Sequence, residues 1–356
     1  MKGLRIAQVA PLYESVPPKF YGGTERVVSF LTEALVAGGH DVTLFASGDS
    51  VTTARLVSPC EHALRLSKSC IDQMASHITM LQMVQDEIEQ FDIVHYHIDY
   101  LHYPLSRYNT VPHITTLHGR LNIPDLQPLY KKFSDVPVVS ISKAQRHPLP
   151  WLNWAGNVYH GLPHSLLKPS FEKGKYLAFL GRISPEKGID TAIEIAIACD
   201  LPLKIAAKIA EDDHDYYENQ ISKMMQHPLI EFVGEINEHE KEKFMGDAMA
   251  LLFPIVWPEP FGLVMIEAMA CGTPVVAYRN GSVEEIIEHN RSGFIVDNRE
   301  DAVKAVQNIR SLSRHECRKV FEERFTADRM AADYLSVYWQ QIDTNGKMKN
   351  IKLAQL

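Results

Sequence analysis

Two glutamates separated by seven residues, Glu259 and Glu267, frame the stretch EPFGLVMIEAMACGTP at positions 259–274. The pattern predicts a strand ending near Pro254, a loop carrying Glu259 and a helix starting around Phe261, with Glu267 nearly two turns further on. Free N–H groups at such a helix start, around Phe261, Gly262 and Leu263, can hydrogen-bond an anion or hydroxyl groups. Two carboxylates so spaced can hold two ends of one extended ligand. The spacing alone fits a solvated loop glutamate and a helix-surface glutamate just as well.

Three further constellations carry chemistry. Arg182 and Lys187, in FLGRISPEKG at positions 179–188, leave a strand and enter a helix. Two cations at such a point can neutralise a departing diphosphate. Tyr21-Gly22-Gly23-Thr24-Glu25 follows the first strand; paired glycines admit close backbone approach, and the helix start behind them favours negative charge. It is not a G-x-G-x-x-G nicotinamide fingerprint. Thr24 is the expected N-cap. His118, in TTLHGR, stands where a strand ends, and ligands of open parallel sheets collect at those ends. His95, His97, Asp99 and His102 crowd within eight positions, a density that raises the question of a metal.

The stretch from Glu259 to Pro274 resembles the E-x7-E motif of the retaining glycosyltransferases of family 4, which have the GT-B fold, and the resemblance extends from Lys2 to about Trp339. It implies that Glu259 with the backbone of Phe261, Gly262 and Leu263 faces the donor sugar, and that Glu267 grips the ribose. Arg182 and Lys187 match the family's G-R-x-x-x-x-K-G segment, whose cations bind the donor diphosphate. Gly23, with Gly22 beside it, matches the glycine loop that touches that diphosphate, and His118 a histidine that contacts the donor sugar, with Arg120 as its neighbour. Gly234, Glu235 and Ile236 take the place of the base pocket by position. His95, His97, Asp99 and His102 resemble a D-x-V-H-x-H segment that lines the acceptor side of the cleft. Asp213-His214-Asp215 contains D-x-D, the metal signature of a different glycosyltransferase fold; at the start of a helix its acids meet the helix dipole, so it reads as structural.

Alternating strands and helices must position these residues, the pattern of parallel sheets covered by helices. In the first half, strands are expected at Leu4 to Ala10, Asp41 to Ala46, Phe91 to His95, His113 to Leu117 and Val136 to Ile141. Helices are expected at Thr24 to Ala37, with Val27, Val28, Leu31 and Leu35 on one face and a stop at Gly38-Gly39, and at Cys70 to Glu89. A second strand series runs Tyr176 to Leu180, Leu203 to Ala207, Glu231 to Val233, Ala250 to Pro254 and Pro274 to Ala277. Gly161 to Lys175, rich in Pro and Gly, reads as the linker. The expectation is two Rossmann-like α/β domains facing across a cleft: residues 1–165 on the acceptor side and 166–327 for the nucleotide sugar. Residues 328–356 form a helix returning to the first domain through Met330, Tyr334, Leu335, Tyr338 and Trp339, with a frayed tail from Thr344.

A chain of 356 residues is long enough for two such domains. Five scattered cysteines without C-x-x-C spacing argue against a disulfide frame or zinc site, and a net charge of −8 argues against nucleic acid. No apolar run reaches the ~20 residues of a membrane span. A cytoplasmic enzyme is expected, one that moves a hexose, glucose foremost, from a nucleotide diphosphate sugar (UDP ahead of GDP or ADP) to a hydroxyl of a small molecule, glycan or lipid-linked acceptor. Neither metal nor cofactor is called for beyond the donor substrate. The rivals are a two-lobed sugar-binding protein and a GT-B phosphorylase or epimerase.

Overall fold

The structure, a computed structural model, describes residues 3–19, 22–65, 67 and 70–354. Lys2 and Tyr21, both named above, lie outside them. The chain divides into two compact units, Met1–Gly161 with Ala327–Leu356, and Leu162–Thr326.

Among the described residues, the first unit has a seven-stranded parallel sheet in the order β3-β2-β1-β4-β5-β6-β7. Its strands are β1 (Arg5–Val9), β2 (Asp41–Phe45), β3 (Arg55–Val57), β4 (Ile93–Tyr96), β5 (His113–Thr116), β6 (Val138–Ser140) and β7 (Trp154–Asn157). Four residues of β1, Ile6 to Val9, are buried in succession, as they must be in a sheet covered on both faces. The helices are α1 (Gly23–Ala37), α2 (Gln73–Asp86), α3 (Tyr103–Ser106) and α4 (Leu126–Lys132). Val27, Val28, Leu31 and Leu35 form the buried face of α1, and Gly39 at φ 82 follows its end. Thr24 is not its N-cap. Gly22 holds that place, at φ 155 and with no side-chain cap bond, because the helix begins one residue before the threonine.

The second unit has a six-stranded sheet in the order β10-β9-β8-β11-β12-β13, again parallel. Its elements are β8 (Tyr176–Arg182), α5 (Ile189–Ala198), β9 (Leu203–Lys208), α6 (His214–Tyr216), α7 (Ser222–Met224), β10 (Ile230–Gly234), α8 (Glu238–Gly246), β11 (Ala248–Phe253), α9 (Leu263–Ala270), β12 (Val275–Tyr278), α10 (Val283–Ile286), β13 (Gly293–Val296), α11 (Arg299–Gln307) and α12 (Arg314–Arg324). The last helix, α13 (Ala327–Ala354), belongs to the first unit and packs on α1. It buries Met330, Tyr334 and Tyr338 and leaves Trp339 41% exposed. The helix continues through Ala354, so the residues from Thr344 that were expected to fray are helical to that point. No helix is long and apolar enough to cross a membrane among the described residues.

Two arginines of α12 tie the second unit together. Arg314 donates to the carbonyls of Ser170 (2.7 Å), Ala248 (2.7 Å) and Gly246 (2.8 Å) and to Thr273 Oγ1 (2.8 Å). Arg318 donates to the carbonyls of Leu167, Ala270 and His164. Ala270 ends α9, so the helix that carries Glu267 is anchored at its far end. Replacing Arg314 with Met strips three carbonyls of their donors and is expected to lower stability by ~3 kcal/mol in urea unfolding. Lysine should recover only part, since an ammonium lacks the planar fork.

Candidate functional site

Each sheet reverses its strand order once at its centre, between β1 and β4 in the first unit and between β8 and β11 in the second. In open α/β sheets the crevice beyond the carboxyl ends of such strands is where ligands bind. The motif residues follow these strands: Gly22 and Gly23 after β1, Arg182 and Lys187 at the end of β8, and Glu259 to Leu263 after β11.

In the second unit the two loops are fastened to each other. Val256 N–H donates to the Glu186 carbonyl (3.0 Å). Lys187 Nζ lies 2.5 Å from Glu259 Oε2 and 5.2 Å from the centre of the Trp257 ring, whose Nε1–H also donates to Glu259 (3.1 Å). Arg182 pairs with Glu186 and, at 3.1 Å, with Asp213. Burial alone would raise the Glu186 carboxyl, but hydrogen bonds from its own backbone and from Arg182 help hold it below its ordinary value. Asp213 therefore faces a motif cation, a contact that the helix-dipole reading of D-x-D does not include.

Phe261 is buried, Gly262 caps α9 at φ 78 without a side-chain bond, and Leu263 opens the helix. The helix starts two residues later than the pattern predicts, because Gly262 takes a left-handed conformation. Glu267 is buried, not on the helix surface, and meets Lys241 Nζ of α8 at 2.6 Å; Lys241 also reaches Glu238 at 3.3 Å. Gly234, Glu235 and Ile236 form the turn from β10 into α8, capped by Asn237 and Glu240. The turn assigned to the base thus leads directly into the helix that holds the ribose-assigned carboxylate.

Sequence reasoning missed the backing of the Glu259 loop. Gly281 at φ +54 lies so close that a Cβ would stand 2.4 Å from Glu259 N and O, while Ser282 donates to the carbonyls of Glu259 and Phe261. It also missed Lys241. Nothing in local spacing joins these residues to the motif.

In the first unit His118 lies two residues beyond β5. Gln145 Nε2 donates to the carbonyls on both sides of it, Leu117 and Gly119, at 2.8 Å each. His118 Nε2 is 2.9 Å from His97 Nδ1, and its ring stacks on His160. Burial pushes the His118 imidazole down to about 3, so it is uncharged at neutral pH. Arg120 is exposed and bonds Asn122. His95 and His102 do not line a ligand-facing surface as expected: both are fully buried, with both ring nitrogens engaged by Tyr338 and Thr116, and by Ser106 and Thr115. Among the described residues, no three His, Cys, Asp or Glu groups converge in a metal-binding arrangement.

Residues 168–326 match the family model of glycosyl transferases group 1, and residues 21–157 that of Glycosyltransferase Family 4. An uncharacterised glycosyltransferase of Methanocaldococcus jannaschii is 24% identical over 97% of this chain and 100% of its own length. A probable sucrose-phosphate synthase of Thermosipho melanesiensis is 30% identical, over 44% of this chain and 39% of its own. Among solved structures, AviGT4, a glycosyltransferase involved in avilamycin A biosynthesis, has a TM-score of 0.72 at 23% identity, covering 96% of this chain and 98% of that one. HepE of Anabaena, in complex with UDP and glucose, has a TM-score of 0.72 at 16% identity, covering 94% and 98%. At such identities these structures speak to the fold.

The buried Lys241 and Glu267 pair gives a direct test of the site's electrostatics. Lys241→Met leaves Glu267 without its nearest countercharge and should cost ~3 kcal/mol in equilibrium unfolding, whereas adding Glu267→Gln to that variant should restore most of it. A double variant no more stable than Lys241→Met would show that packing, not charge, binds the two helices.

Proposed function

Because the chain belongs to the group 1, family 4 glycosyltransferases and has the GT-B fold, we propose that it moves a hexose, glucose foremost, from UDP to a hydroxyl acceptor with retention. The observation that carries the reading is the convergence of Arg182, Lys187 and Glu259 at the carboxyl ends of β8 and β11, where the sheet reverses order. Arg182 and Lys187 take the diphosphate, whose negative charge grows as the glycosidic bond breaks. Glu259 and the Phe261 to Leu263 backbone take the sugar, Glu267 the ribose, and the turn at Gly234, Glu235 and Ile236 the base. In the first unit, Gly22 and Gly23 are assigned to the diphosphate and the uncharged His118 to a sugar hydroxyl. The sugar is attacked from the face that the nucleotide leaves. A reducing, cytoplasmic setting fits the free thiols of Cys60, Cys70, Cys199, Cys271 and Cys317.

The decisive experiment is a screen of nucleotide sugars for nucleotide release, with hydrolysis standing in for transfer to the acceptor. UDP-glucose is expected to be turned over ahead of its GDP and ADP counterparts, and turnover is expected to survive EDTA. Loss of activity on chelation with recovery in Mn²⁺ would remove the cations from the role given to them here.

Arg182→Ala and Lys187→Ala should each lower kcat by about 10² to 10³ while changing KM less, because they meet charge that develops in the transition state. The double variant should lose less than the product of the two, since both clamp one group. In calorimetry, Glu267→Gln should weaken UDP binding by about tenfold, as a charge-assisted bond to the ribose diol is lost. Unchanged affinity in a folded variant would return Glu267 to a structural role.

A further inference from the structure

Arg182 pairs with carboxylates from two elements, and the two are fixed to different degrees. Glu186 stands four residues on, in a turn fastened by the bond from Val256 N–H to the Glu186 carbonyl. Asp213 comes from elsewhere: it ends the short turn Glu211–Asp213 that follows β9. Its Oδ2 lies 3.1 Å from Arg182 Nε, yet this buried oxygen makes no hydrogen bond among the described residues. The contact is a pairing of charges without the directionality of a hydrogen bond. Arg182 keeps 36% of its side chain exposed, so it is open to solvent. All of these groups belong to the second unit.

The segment that carries Asp213 is weakly held. From Glu211 to Gln220 no residue is buried; Ile221 is the first. α6 has three residues and passes into a π-helical turn, Tyr217–Ile221, before α7 begins. Such turns are rare and recur at functional sites, and a stretch with few buried side chains opens at low cost. The charge on Asp213 is poorly supported as well. Burial above all pushes its carboxyl above the ordinary value, the Glu186 and Asp212 carboxylates add to this, and Arg182 offsets them only in part.

We propose that Asp213 occupies Arg182 in place of the diphosphate, is displaced when the nucleotide sugar binds, and by returning sets how readily the nucleoside diphosphate product leaves. The proposal rests on the assignment of Arg182 to the donor diphosphate. A phosphate oxygen accepts from the guanidinium the charge-assisted hydrogen bond that Asp213 Oδ2 does not, so the exchange favours the ligand. The opposing carboxylate keeps that advantage small. Without it the product is held more tightly and blocks the next donor.

Calorimetry on the full chain with UDP and with inorganic pyrophosphate tests this. Asp213→Asn, which keeps the shape and removes the charge, should bind both about fivefold more tightly than the wild type, and UDP should become a correspondingly stronger product inhibitor. Damage to the fold weakens binding, so a gain is diagnostic. Asp212→Asn, which removes the same charge one residue earlier, should leave affinity within about twofold, and Asp213→Asn should bring no gain in an Arg182→Ala background. In the wild type, UDP should speed amide hydrogen exchange across residues 211–221 as the segment is released, a readout that needs no variant to fold. Equal or weaker binding by a folded Asp213→Asn, an equal gain from Asp212→Asn, or exchange across 211–221 that slows or stays the same overturns the displacement. A gain for pyrophosphate in a chain that binds no nucleoside diphosphate supports the displacement and overturns the glycosyltransferase reading instead. Equal UDP affinity in the wild type and Arg182→Ala removes the diphosphate from Arg182, and the proposal with it.

Discussion

Parallel pairing of β8 with β11 is the constraint on which the second unit's chemistry depends. It sets Lys187 against Glu259, 72 residues apart in sequence, at 2.5 Å. Both strands end at the same edge of the sheet, and neither loop has room to move independently. Gly188, at φ +68, passes so near Pro254 that a Cβ would stand 2.1 Å from its carbonyl oxygen. A backbone this close cannot be approached by any other residue type, so the cationic turn and the loop that carries Glu259 behave as one piece.

Cations near this edge are already held by carboxylates of the chain: Arg182 by Asp213 and Glu186, Lys187 by Glu259, and Lys241 by Glu267. The pairs differ in burial, and with it in meaning. Lys241 and Glu267 are both nearly inaccessible, where an unmatched charge would be costly, so their pairing is a condition of folding. Arg182 keeps about a third of its side chain exposed, and solvent screens its pairs. On the proposed reading, a diphosphate there would compete with weak partners, whereas a ribose at Glu267 would join a pair that stays intact.

Much of this was legible in the residues. Strands such as β1, β2, β8 and β11 show as apolar runs because both faces are covered, and the motif cations and glutamates stand in short continuous stretches whose resemblance to family motifs, rather than their spacing alone, singled them out. The edge strands β3, β7 and β13 were missed. They have three or four residues each, and β7, with Gly156 and Asn157, offers no apolar run. Thr24 was misplaced as a cap because hydroxyl residues favour that position in general, while here a glycine backbone occupies it. His95 and His102 were placed on the acceptor side by the resemblance to a D-x-V-H-x-H segment, yet hydroxyls of Tyr338, Thr116, Ser106 and Thr115 satisfy their nitrogens inside the core. Lys241, Gly281, Ser282 and Gln145 act only through tertiary neighbours that no local pattern announces.

The membership of α13 in the first unit orders the birth of the molecule. The second unit is one uninterrupted segment, Leu162–Thr326, while the first needs both ends of the chain. On a ribosome Gln8, His95 and Thr116 emerge early, but Tyr334 and Tyr338, whose hydroxyls they bond in the core, arrive only after the whole second unit has been made. Until then the first sheet holds polar groups that its own segment cannot satisfy. Vectorial synthesis thus delivers the Tyr334 and Tyr338 hydroxyls to the first sheet only after the whole of the second unit's segment.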